Sequence, residues 1–375
     1  MSEHWTLLDF FAATHLKTHP KIAEITMKLK NKIAKHLLTG GLLTASLAVA
    51  GSAQAFTVIS FGGANGDALQ EAYYAPFASS TGTDLTPGDY NGEFARIRAM
   101  VETGNVSWDL VEVESPELVR GCFEGLFEPI DWEKLGIKDQ LIEPAVTECG
   151  VGMFVWSTVL AYDADRLDKA PQSWADFWNV EEFPGKRGLR RGAKFTLEFA
   201  LMADGVPANE VYDVLATPAG VDRAFAKLEE IQDHIQWWEA GAQPPQWLVA
   251  GDVVMSSAYN GRIAVAQEEG RNLAINWSGS VYDLDYWAIV QGSNHTDTAY
   301  DFLRFSSQPD TQAEYSKRIP YGPVNPEALA KLPEEQAVRM PTNAANLEGA
   351  LAVNTEFWVD YGEELEQRFN SWASQ

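Results

Sequence analysis

The run 57–61 (TVISF) is β-branched and aromatic and closes on Gly62-Gly63, which predicts a buried strand. Residues 67–80 (DALQEAYYAPFASS) follow with apolar positions three and four apart, the spacing of a helix with one face on a core. A helical stretch at 92–103 leads into strand-like WDLVEV (108–113). This β-α-β rhythm predicts an α/β sheet with helices on both faces. A second set of such units runs from about 160 to 285, with helices at 173–178, 196–204, 207–215 and 219–232 and a strand at VVMSSA (253–258). Pro and Gly punctuation is scattered through 183–192, 240–245 and 320–326, and neither a long linker, an internal repeat nor a low-complexity tail is visible. In open α/β sheets ligands gather beyond the carboxyl ends of strands. The loops after 57–61, 108–113 and 253–258 are therefore the candidate site.

The N-terminal pattern is different. From Met27 the chain reads MKLKNKIAKH, then LLTGGLLTASLAVA, then GSAQA: a basic segment, an apolar segment of about 14 residues and an Ala53-Gln54-Ala55 cleavage motif. That is the layout of a secretory signal cut after Ala55, and the apolar segment is short for a membrane span. Residues 1–26 then read as an extension from an upstream start codon.

Charge sharpens the division. The chain of 375 residues has a formal net charge of −25, yet residues 1–55 hold six Lys against three acids, leaving −28 on residues 56–375. Such a surface repels phosphate backbones and anionic membranes, so no nucleic-acid partner is expected. With 46% hydrophobic residues the acidity is that of a globular protein, and the length favours two lobes.

Export bears on the cysteines. Cys122 and Cys149 are the only pair, and an oxidising compartment favours one disulfide between them; two separate buried thiols are the alternative. Four of the six His lie in residues 1–55, leaving His234 and His295, which do not make a His-rich metal centre. No G-x-S-x-G elbow is present to place a Ser nucleophile beside either.

Several segments resemble a known family: VISFGGANGDALQEAYYAPFASSTG (58–82), WDLVEVESPELVRGCFEGLFEPID (108–131), PQSWADFWNVEEFPGKRGL (171–189), GDVVMSSAYNGRIAVAQEEG (251–270), YDLDYWAIVQGSNHTDTAYDFLRF (282–305) and IPYGPVNPEAL (319–329). They resemble polyamine-type periplasmic solute-binding proteins of ABC importers. The resemblance covers nearly all of 56–335. It implies an α/β, two-lobed periplasmic-binding-protein fold of type II, with two crossover strands near 151–162 and 283–290 and the ligand in the interlobe cleft. Lobe 1 would comprise 56–155 and 286–320, and lobe 2 would comprise 156–285 and 321–375. It also implies a monomer in the periplasm that works with an inner-membrane ABC permease, without catalysis or cofactor.

The ligand chemistry can be read residue by residue. An alkylammonium calls for aromatic faces and carboxylates; a carboxylate calls for the planar fork of an Arg. Tyr259-Asn260-Gly261-Arg262 ends a predicted strand, and Tyr282-Asp283-Leu284-Asp285 begins the second crossover with both acids on one strand face. The resemblance assigns the ammonium to Asp285 and the alkyl chain to Tyr259. The chain departs from polyamine binders at two places: Gly192 and Phe195 stand where a pair of acids is expected, and Arg262 stands where an acid or small polar residue is expected. A desolvated Arg repels a dication but complements one end of a zwitterion. The expected ligand is therefore γ-aminobutyrate or a similar ω-amino acid, with putrescine or spermidine as runner-up. Arg262 could instead pair internally with Asp283 or Glu114, which would restore a polyamine site. Phe61, Glu114, Ser115, Trp156 and Tyr321 complete the candidates for the cleft wall. A secreted carbohydrate-active enzyme using Asp283 and Asp285 is the alternative from another class.

Overall fold

The computed structural model describes residues 55–374. The proposed extension and signal, apart from Ala55, lie outside the described residues.

Ten strands form one mixed sheet. In chain order they are β1 (Phe56–Ser60), β2 (Leu85–Asp89), β3 (Leu110–Glu114), β4 (Val151–Asp163), β5 (Arg187–Arg190), β6 (Ile235–Trp238), β7 (Met255–Tyr259), β8 (Leu273–Ile289), β9 (Gly322–Pro323) and β10 (Leu351–Ala352). Their order is β2-β1-β3-β8-β4-β7-β5-β6, with β10 on β8 and β9 on β4. The two flanks are parallel, β2-β1-β3 on one side and β7-β5-β6 on the other. Between them β8 and β4 run antiparallel to each other and to the flank strands that they meet. The expected helices are present at Gly63–Leu69, Phe94–Thr103, Trp174–Trp178, Thr196–Ala203, Val211–Leu215 and Pro218–Glu229.

Strand β8 starts ten residues before the predicted second crossover. Its first half pairs with β4 down to Asp163 opposite Leu273, through a register shift between Thr158 and Leu160. Polar Asn276 and Ser278 and a left-handed Gly279 hide that strand from a period-2 reading. The first predicted helix contains a π-turn at Gln70–Tyr74 that continues into Ala75–Thr81.

The strands beside the site are apolar on one face and carry acids on the other. In β3, Val111 and Val113 enter one core with Tyr286 and Ala288 of β8. The opposite face of the same strands carries Leu110, Glu112 and Glu114 and, across the ladder, Asp283, Asp285 and Trp287. Both faces are covered, so the four carboxylates are all buried. Cys122 and Cys149 are disulfide-bonded, tying the helix Ser115–Phe123 to the segment before β4.

Candidate functional site

A small cavity sits where these acid-bearing strands meet the loops of both flanks. Cross-strand register builds its floor: Glu114 on β3 and Phe154 on β4 both stand opposite Asp285 on β8, and Trp156 stands opposite Asp283. Phe61 and Asn65 enter from the turn and helix after β1, and Tyr259 and Arg262 enter from the end of β7 and the helix Asn260–Glu268. Tyr321 closes the wall with its ring stacked on Phe154 at 4.7 Å. The Trp156 ring meets Tyr259 edge-on at 5.1 Å.

The Arg262 segment is pinned by its neighbour. Asn260 accepts from the Ser157 amide at 3.0 Å and donates to the Pro320 carbonyl at 2.9 Å, holding the helix start against β4 and the Tyr321 loop. Gly63 has φ of +57°, and a Cβ there would run into Arg262 Nη1. Glycine is what lets the backbone after β1 approach the guanidinium.

Arg262 is 5% exposed. Its Nη2 donates to the Phe61 carbonyl at 3.2 Å, the guanidinium lies 6.0 Å from the Tyr259 ring centre, and Nε has no partner. Among the described residues no carboxylate pairs with it. The two internal partners open to it on sequence grounds are engaged elsewhere. Glu114 lies 2.6 Å from Lys194 Nζ and 3.6 Å from Arg190, and Asp283 accepts from the Ser115 hydroxyl at 2.6 Å and the Leu284 amide at 2.8 Å. A buried guanidinium with an idle donor calls for an anion.

The acids at the cavity are electrostatically different. Burial alone would raise Glu114, but Lys194 and then Arg190 outweigh it and hold the carboxyl below its ordinary value. Asp285 receives the Trp156 indole N–H at 2.6 Å; burial and then Glu112 push it well above the carboxylate range. Glu112 accepts from Asn65 Nδ2 and from the Phe61 amide, and burial raises it as well. Burial lifts Asp283 to about 7 and the Tyr259 hydroxyl to about 12.

Seven of the ten residues expected at the cleft wall line this cavity: Phe61, Glu114, Trp156, Tyr259, Arg262, Asp285 and Tyr321. Ser115, Asp283 and Phe195 do not line it. Ser115 and Asp283 bond to each other, and Phe195 packs edge-on to Trp156 at 5.5 Å. Phe195, with φ of 72°, is the one non-glycine residue with positive φ among the described residues. Glu112, Asn65 and Phe154 line the cavity without having been singled out in the sequence. The alternation Leu110-Val111-Glu112-Val113-Glu114 carries the signal for Glu112, because a strand that buries Val on one face sets both Glu on the other. No comparable local signal marks Asn65 or Phe154.

The family model described as bacterial extracellular solute-binding protein matches residues 72–345. The chain belongs to this family. This solute-binding protein is 61% identical over 335 residues to the γ-aminobutyric acid-binding protein of Pseudomonas aeruginosa, spanning 89% of the chain and 95% of that relative. Among solved structures it resembles the binding protein AgtB of A. tumefaciens R10 in complex with agropinic acid. That likeness has a TM-score of 0.80 and 32% identity, over 86% of this chain and 99% of the other. It also resembles a GABA receptor with a TM-score of 0.75 and 29% identity, over 85% of this chain and 97% of the other. The mixed α/β architecture is that of periplasmic binding proteins.

Proposed function

We propose that this solute-binding protein is the periplasmic receptor of an ABC importer for γ-aminobutyrate or a closely related ω-amino acid. The observation that carries the reading is Arg262: a buried guanidinium without a carboxylate partner among the described residues, in the same aromatic cavity as Asp285 and Glu112. A short zwitterion supplies the missing anion at one end and an ammonium for the acids at the other. A diamine would set a second ammonium against the guanidinium. The identity to the Pseudomonas protein points to the same solute.

In this account lobe 1 is 56–155 with 286–320 and lobe 2 is 156–285 with 321–375, and β4 and β8 are the crossovers. The ligand favours the closed arrangement because it touches both lobes, and the closed form is what the permease recognises. The protein is exported by the segment ending at Ala55, acts as a monomer and carries its solute unchanged. A glycosidase reading with Asp283 and Asp285 loses support because Asp283 accepts from Ser115 and does not line the cavity.

A thermal-shift screen of the purified protein against γ-aminobutyrate, putrescine, spermidine and common amino acids tests the ligand. At 100-fold over Kd the right solute stabilises by about 2.7 kcal/mol. Stabilisation by putrescine or spermidine and by no amino acid would defeat the proposal.

A further inference from the structure

Two of the buried acids at the cavity have no cation of their own. Glu114 is neutralised by Lys194 and Arg190. Glu112 and Asp285 have no Lys, Arg or His within ion-pair distance among the described residues. Among the described residues their side-chain oxygens accept from neutral donors: two contacts from Asn65 Nδ2, the Phe61 amide and the Trp156 indole. Their strands are neighbours in the ladder, Glu112 stands one step diagonal from Asp285 on the same face, and both line the same cavity. They are 0% and 4% exposed. Two carboxylates this close and this dry cannot both be ionised without a cation beside them, so a proton takes its place.

We propose that Glu112 and Asp285 together form the ammonium subsite, holding one proton between them in the free protein and releasing it to solvent when the ligand's alkylammonium enters. This rests on the amine-bearing ligand proposed above and adds Glu112 and the proton to it.

The surroundings are consistent with a pair of this kind. Asp283 on β8 and Glu114 on β3 add negative charge near Asp285; Arg190 pairs with Glu114, and Lys194 pairs with Glu114 and Glu117. Arg262 attracts Glu112 without reaching ion-pair distance. The tyrosines around the pair, Tyr73, Tyr74, Tyr90, Tyr259, Tyr315 and Tyr321, are all driven upward by burial first and stay neutral. Arg262, whose Nε is unpartnered, lines the same cavity and supplies its anion-seeking group.

The sign follows from linkage. An ammonium favours the ionised carboxylates, so it lowers the pair's proton affinity and binding liberates a proton. Affinity for an alkylammonium therefore rises with pH, about tenfold per unit where one proton is released, and levels off once the free pair is ionised. A site with both acids already ionised shows no such slope, because the ligand's own amine stays charged well above neutrality.

Calorimetric titration of the purified protein in buffers of low and high ionisation enthalpy counts the proton directly. With γ-aminobutyrate at pH 6 and 7, about one proton is released per ligand, and Glu112→Gln binds more weakly and releases none. A purely structural role for Glu112 would weaken binding and leave the proton count unchanged, which would overturn the proposal, as would zero release by the unaltered protein across this range. If putrescine binds with proton release and γ-aminobutyrate does not bind, the acid pair stands and the zwitterion reading falls. If neither amine binds, both fall.

Discussion

The Trp156 indole N–H donates to Asp285 Oδ1 at 2.6 Å, joining the two central strands at the floor of the cavity. The bond fixes one carboxylate oxygen of a residue that lines the cavity. Trp156→Phe keeps an aromatic ring near Tyr259 while removing this donor and some buried volume. Loss of a hydrogen bond to a buried charge costs about 2 kcal/mol, so γ-aminobutyrate affinity is expected to fall roughly 30-fold by calorimetry, and the lost core packing lowers the melting temperature as well. An unaltered affinity would show that Asp285 needs no orienting partner.

Lys194 joins the loop after β5 to the end of β3 and to the helix Ser115–Phe123, lying 2.6 Å from Glu114 and 2.8 Å from Glu117. Only 8% of Lys194 is exposed. Lys194→Met strands the buried Glu114 with Arg190 alone at 3.6 Å and is expected to cost about 3 kcal/mol or more in denaturant unfolding. The exposed pair Lys331–Asp310 is the control, and Lys331→Met is expected to leave the unfolding midpoint almost unchanged. Because the folded state holds Glu114 below its ordinary value, its contribution is present above the unfolded carboxyl pKa and disappears as pH falls through the folded one.

Glu198 has the opposite sign. It is fully buried in the helix Thr196–Ala203, accepts from Trp358 Nε1 at 2.9 Å and Tyr212 Oη at 3.1 Å, and is lifted by burial to about 7. The folded state therefore prefers the protonated acid, and the stability linked to this group is lost as pH rises through about 7. Glu198→Gln is expected to melt close to the unaltered protein at pH 5 and several degrees higher at pH 8, a difference on the order of 3 kcal/mol. Equal melting temperatures at pH 8 would place Glu198 in a wetter setting than its burial indicates.

Much of this was legible in the chain because it is local. The strand at 57–61 and the helices at 173–178 and 196–204 announce themselves by spacing, and Tyr259 and Arg262 follow from ending a strand. What was not legible depends on register between strands far apart in sequence. That Lys194 takes Glu114, and so leaves Arg262 unpaired, is fixed only when the loop after β5 meets β3. That Glu112 joins Asp285, while Asp283 turns to Ser115, depends on how β3 lies against β8. Asp283 and Asp285 share a strand face yet have different partners, a distinction that alternation cannot make.

A crystal structure of the protein with γ-aminobutyrate tests the central claim most directly. The account predicts the ligand carboxylate on the Arg262 guanidinium and its ammonium between Glu112 and Asp285, with the methylenes against Tyr259 and Trp156. A ligand in the reverse orientation, or one whose carboxylate avoids Arg262, would contradict it.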